Sequence, residues 1–184
     1  MERCASGITP DRLQALIEEE RPGVVTIDAP SSFAGSGTSR EAERDLSRRG
    51  IRLFFTPELS VARDHPFYSW MHVGMECFAA ARAAGYTDDG ALEVFPHASA
   101  VVISGVLPPV RSSKVRRRRA VLESAVVETA PLRNLDEVDA ALAALTGVIA
   151  LEGGATAVGD PAEGVIVVPT LNLLARYERA PSTA

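Results

Sequence analysis

The segment Val24-Val25-Thr26-Ile27-Asp28 constrains this chain more than any other. A short apolar run rich in β-branched residues reads as a buried strand of a parallel sheet. Arg21-Pro22-Gly23 breaks the chain before it, and positions 29–37, rich in Pro, Ser and Gly, form a loop after it. Asp28 therefore stands at the C-terminal end of a parallel strand, the edge at which open α/β sheets bind ligands. An acid placed there needs a partner to offset its desolvation. On position alone, a turn aspartate capping the Pro30-Ser31-Ser32 loop is an equally good reading.

Helices flank this strand in the pattern. Pro10 to Glu20 places Leu13, Leu16 and Ile17 on one face. A second helix, capped by Thr38 or Ser39, runs to about Arg49 and stops at Gly50. Ile51 to Phe55 is a short strand or extended segment. Phe67 to Ala84 is amphipathic, with Phe67, Trp70, Met71, Gly74, Met75 and Phe78 at helical spacing. Ala91 to Phe95 is a second strand, closed by Pro96. Ser112 to Glu123 is a basic helix, and Asn134 to Leu151 a long one ending at Gly153-Gly154. Thr156 to Val158 and Val165 to Val168 flank Gly159-Asp160-Pro161 as a β-hairpin. Strands alternating with helices predict an α/β fold with parallel strands at its centre.

The 184 residues suffice for a single domain spanning 1–184, with a loose tail at 180–184. An apolar fraction of 46% and a charged fraction of 23% are those of a globular chain. No apolar run approaches the roughly 20 residues of a membrane span, and MERCASGITPDRLQ has no signal-peptide core. The expected location is cytoplasmic, with no membrane partner. Cys4 and Cys77 make neither a disulfide framework nor a zinc signature, and Cys77 reads as core. A net charge of −5 argues against a uniformly basic surface. The positive charge is nonetheless concentrated, with Arg111, Lys114 and Arg116 to Arg119 in one stretch. That stretch is a solvated face or a phosphate-binding one.

Further acids accompany Asp28. Glu93 interrupts the second strand in Leu92-Glu93-Val94-Phe95-Pro96-His97 and on strand logic alone suits a solvent-facing position. A lone histidine such as His97 is more often structural than a ligand. Asp136 and Asp139 share a face of the long helix that continues a stripe of Ala140, Ala143 and Gly147. Acids in a first helical turn also suit the dipole, but two on the face of a buried helix call for a cation or an arginine. Carboxylates from several elements are what Mg²⁺ or Mn²⁺ uses, and two such ions can cleave a phosphodiester without a nucleophilic side chain. The sequence holds no convincing Ser-His-Asp or Cys-His set. Gly35 to Ser39 lies between strand and helix, where phosphate can bind, but it lacks the Walker lysine. Arg40 and Arg44 beside it are solvated or contact phosphate.

Ile27-Asp28-Ala29-Pro30, Arg40 with Arg44-Asp45-Leu46, Glu93 to His97, Asp136 to Ala140, and Gly159 to Gly164 followed by Val165 to Pro169 occur in this order. Together they resemble the ribonuclease-H-like nucleases of domain-of-unknown-function family 429, over about residues 24–169. The resemblance implies a mixed sheet with flanking helices and a C-terminal hairpin. It implies Asp28, Glu93, Asp136 and Asp139 as catalytic acids, and Asp28, Asp136 and Asp139 as ligands of Mg²⁺ or Mn²⁺. From the residues themselves, Arg40, Arg44, Lys114 and Arg118 are expected to hold nucleic-acid phosphates. The wider superfamily opens with three antiparallel strands, the first bearing a metal-binding aspartate. Here the helix from Pro10 leads directly into the Asp28 strand, so the expected sheet lacks those strands unless sequence upstream of Met1 supplies them. The expected function is metal-dependent phosphodiester hydrolysis. The alternative is a non-catalytic nucleic-acid-binding or regulatory module with an incomplete site, and a weaker one is a small-molecule phosphate enzyme using Gly35 to Thr38. A homo-oligomer is not indicated.

Overall fold

A computed structural model describes residues 8–181. Helix α1 (Pro10–Glu20) opens with Thr9 accepting from the Arg12 N–H and with proline in its first turn. It is followed by β1 (Val25–Ile27), α2 (Glu41–Arg48), α3 (Leu59–Ala62) and a 3₁₀ turn at Pro66–Tyr68. Next come α4 (Ser69–Ala83), β2 (Ala91–Glu93), α5 (Pro96–Ser104), α6 (Lys114–Ser124) and α7 (Leu135–Leu151). The chain ends with β3 (Ala155–Val158), a 3₁₀ turn at Pro161–Glu163, and β4 (Ile166–Pro169). The fold is mixed α/β.

Strand β1 pairs in parallel with β2, Val25 opposite Ala91 and Ile27 opposite Glu93. Strands β3 and β4 form the expected antiparallel hairpin, and a parallel bridge from Val94 to Val167 joins the two pairs. Side-chain alternation along β1 explains its two covers. Val25 and Ile27 pack with Ile17 of α1 and Phe78 and Ala81 of α4. Thr26 points the other way, to α7, where a Cβ on Gly147 would lie 2.8 Å from the Thr26 methyl carbon. The small-residue stripe thus does allow close approach at Gly147, although Ala140 is exposed. A second core, with Leu46, Ile51, Val101, Val102, Val168 and Tyr177, joins α2, α5 and the hairpin.

Several expectations are corrected. Helix α5 was not anticipated, because Ala98 to Val102 are all buried and show no polar face from which to read a period. Its Ser99 accepts a hydrogen bond from Thr146 of α7 at 2.8 Å. Of the two readings of Ile51 to Phe55, the short strand is the one the structure does not show. Phe67 lies in the 3₁₀ turn rather than in α4, and both Phe67 and Trp70 are exposed instead of facing the core. Arg40, not Thr38 or Ser39, is the N-cap of α2, because Glu43 in the first turn accepts the Arg40 backbone N–H at 3.1 Å. The tail is tied further than expected: Ala180 donates its N–H to Leu107. Cys77 is only partly buried beside the α1–α4 core, while Cys4 and positions 182–184 lie outside the described residues. Among the described residues no strand precedes β1, and no helix is long and apolar enough to cross a membrane.

The hairpin docks on α2 through Gly159, whose φ is +114° and whose Cβ would fall 2.6–2.8 Å from Ala42 atoms, backbone included. Gly159→Ala is therefore expected to cost more than about 1 kcal/mol, read as a lowered midpoint in urea.

Candidate functional site

Parallel pairing puts the C-terminal ends of β1 and β2 on one edge, so Asp28 emerges beside Glu93. Asp28 opens into a cavity of about 310 Å³ lined also by Arg40, Glu93, Phe54 and Trp70. Asp28 is exposed, although protein atoms lie densely around its carboxyl. Among the described residues it makes no hydrogen bond and no ion pair. That crowding, followed by the negative charge of Asp139, raises its pKa from 3.8 to about 7. Glu93 and Asp136 push in the same direction, and Arg118 opposes them.

Glu93 is 5% exposed and fully engaged. The Arg40 guanidinium donates to both of its oxygens, at 2.5 and 2.8 Å. Ser31 adds its backbone N–H at 2.8 Å and its hydroxyl at 2.9 Å. Arg40 also donates through Nε to Glu43 at 3.0 Å, and Glu43 in turn accepts from the Thr56 N–H at 2.8 Å. This buried Glu43–Arg40–Glu93–Ser31 chain fixes the loop after Asp28. It leaves Arg40 buried with its guanidinium turned to Glu43 and Glu93 rather than to a phosphate, and it places Glu93 inside the protein with both oxygens hydrogen-bonded, not on a solvent-facing side of the strand.

Asp139 projects inward from α7. Arg118 of α6 donates to its Oδ2, while its Oδ1 is buried without a hydrogen-bond partner. Burial outweighs Arg118 and raises the Asp139 pKa. Asp136 remains exposed in the first turn, where the helix dipole favours it. Among the described residues no three carboxylate, histidine or cysteine side chains are gathered to hold a metal ion as they stand.

A second cavity, of about 620 Å³, adjoins the first and shares Leu53, Phe54 and Phe95 with it. Asp139 and His97 line it together with Arg52, Arg111, Lys114, Arg117 and Arg118. Burial, then the charges of Arg118, Lys114 and Arg117, lowers the His97 pKa to about 4, so the imidazole is neutral at neutral pH. Arg118 thus faces the cavity while holding Asp139. Lys114 is exposed and makes no hydrogen bond or ion pair among the described residues. Arg44 is drawn away to Glu41 and to the Ser39 carbonyl on the surface.

The Gly35 to Ser39 loop already has its anion. The Glu163 carboxylate accepts from the Gly35 N–H at 3.0 Å and from the Glu41 N–H, at the start of α2, at 2.9 Å. A phosphate there would have to displace it. Nothing in the sequence pairs Glu163 with this loop, more than a hundred positions away, or marks Arg52 and Phe54 as cavity walls.

A family model described as protein of unknown function (DUF429) matches residues 9–163. The chain belongs to this family. The matched span begins upstream of the expected one, taking in α1, and contains every acid and every cation of the two cavities. No curated protein and no solved structure matches the chain.

Proposed function

We propose that this member of the family is a divalent-metal-dependent nuclease of the ribonuclease-H-like kind. One observation carries the reading: Asp28 makes no hydrogen bond or ion pair among the described residues, and Asp139, whose charge bears on it, keeps a buried Oδ1 without a partner although Arg118 holds its Oδ2, beside a cavity lined by five cations. Hard divalent ions bind through one or two carboxylates and several waters. Asp28 and Asp139 fit such an ion, and the unpartnered Oδ1 is the atom it would complete. A site of four acids does not fit, since Arg40 neutralises Glu93 and Asp136 faces solvent. Mg²⁺ or Mn²⁺ held there would supply an activated water and charge stabilisation for the leaving oxygen. The chain's own residues do the rest. Lys114 and Arg117 hold phosphates, Arg118 orients Asp139, and the Arg40–Glu93 pair holds the loop that carries Asp28.

Purified protein is expected to cleave DNA or RNA with Mg²⁺ or Mn²⁺ and not in EDTA. Asp28→Asn and Asp139→Asn each reduce that cleavage below detection, and Glu152→Gln, at the far end of α7, leaves it intact. Cleavage that survives both aspartate changes refutes the assignment. The arginine on Asp139 favours a second reading, a binding module without catalysis, which predicts salt-sensitive nucleic-acid binding and no cleavage under any metal.

A further inference from the structure

Three exposed aromatic side chains outside the cores form one cluster. Phe54 is 69% exposed, Phe67 50% and Trp70 41%. They touch one another, with Phe54 ring centroids 5.7 Å from Phe67 and 6.5 Å from Trp70, both edge-on. Folding gains little from rings in water, and an exposed apolar cluster of this kind marks a contact surface. This one is continuous with the site already described. Trp70 and Phe54 line the Asp28 cavity, and Phe54 also lines the cationic one. Around that second cavity Arg52, Arg111, Lys114 and Arg117 make no ion pair among the described residues.

A ligand for this surface must offer flat apolar faces and, beside them, repeated negative charge. A nucleic-acid strand with unpaired bases has both, and aromatic platforms beside cationic grooves are how single strands are held. A duplex hides its base faces in the stack and offers only phosphates. A second copy of the chain would bring its own cations against these.

We propose that the Phe54–Phe67–Trp70 shelf stacks the bases of single-stranded nucleic acid while Arg52, Arg111, Lys114 and Arg117 hold its phosphates, which makes unpaired strands the substrate class of this cleft. The inference rests on the nuclease reading for its use but not for its binding, which needs no metal. Carboxylates and aromatics then play separate parts, one at the scissile phosphate and the other on the neighbouring bases.

Trp70 is the only tryptophan of the chain, so its fluorescence reports the shelf directly. Titrating the full chain with oligothymidylate in EDTA is expected to quench it saturably. The same strand annealed to its complement binds at least about tenfold more weakly. Phe54→Ala and Phe67→Ala each weaken single-strand binding by roughly tenfold or more with unchanged circular dichroism, as their exposure allows. Lys114→Ala flattens the dependence of log K on log salt by about 0.7. Equal affinity for the duplex overturns the proposal. So does unchanged affinity in both phenylalanine variants, or a Trp70 signal that follows protein concentration alone, the mark of a second copy on the shelf. Quenching in EDTA without cleavage in Mg²⁺ removes the nuclease reading and leaves the shelf. Cleavage of duplex with a silent Trp70 does the reverse.

Discussion

Exchanging Arg40 for methionine is expected to lower the unfolding free energy by about 3–5 kcal/mol, because it strands buried carboxylates rather than removing a pair. Arg40 is 1% exposed, and Glu43 and Glu93 are 1% and 5% exposed. With the guanidinium gone, Glu93 keeps only Ser31 as a donor, and Glu43 keeps only backbone N–H groups. For a chain of this length the fall in Tm is about 10 °C, read by circular dichroism. Adding Glu93→Gln to Arg40→Met should recover part of the loss, since the residual negative charge is then absent. A decrease below about 1 kcal/mol in the single variant, the size of an exposed pair, would show that the cluster does not hold the loop.

The second large effect is at Asp28 and depends on pH. Its folded pKa of about 7 lies above the 3.8 of the free side chain. Between those values the folded chain keeps a proton that the unfolded chain has lost, so stability falls as pH rises through that window. Asp28→Asn removes the titration, and above the upper pKa the variant should be the more stable of the two. The gain is roughly 1 kcal/mol, since Asp28 remains open to water and its electrostatics are screened. A divalent cation reverses the order. Mn²⁺ added above that pH should raise the Tm of the native chain and leave that of Asp28→Asn unmoved. Parallel pH profiles for the two proteins would remove Asp28 from the charged cluster.

Much of this was legible in the sequence, and what was not had physical reasons. Val24 to Asp28 announced β1 and the acid at its end because β-branched residues and a following Pro-Ser-Gly loop admit little else. The hairpin was readable from its turn residues and α7 from its apolar stripe and the glycines that end it, and the structure adds Ser113 and Asn134 as the caps of α6 and α7. Helix α5 was hidden because a helix buried on all sides shows no period. Phe67 and Trp70 kept helical spacing and suggested core, yet they face solvent; spacing identifies a face but not what covers it. At the site, strand-end and helix-face logic singled out Asp28 and Asp139 as acids, and the charge of Asp139 bears on Asp28. The capture of Glu93 by Arg40, and of the α2 N-terminus by Glu163, was not foreseeable. Both partners come from distant positions, and a charged residue in a sequence does not say which opposite charge it will meet.

The account stands on a divalent ion shared by Asp28 and Asp139, and a calorimetric titration with Mn²⁺ at a pH just above 7 tests it most directly. The native chain should take up one ion and release a proton, since the raised Asp28 pKa leaves that carboxyl partly protonated. Asp28→Asn and Asp139→Asn should take up none. Binding of equal strength in all three proteins, or no binding in any, contradicts the metal site.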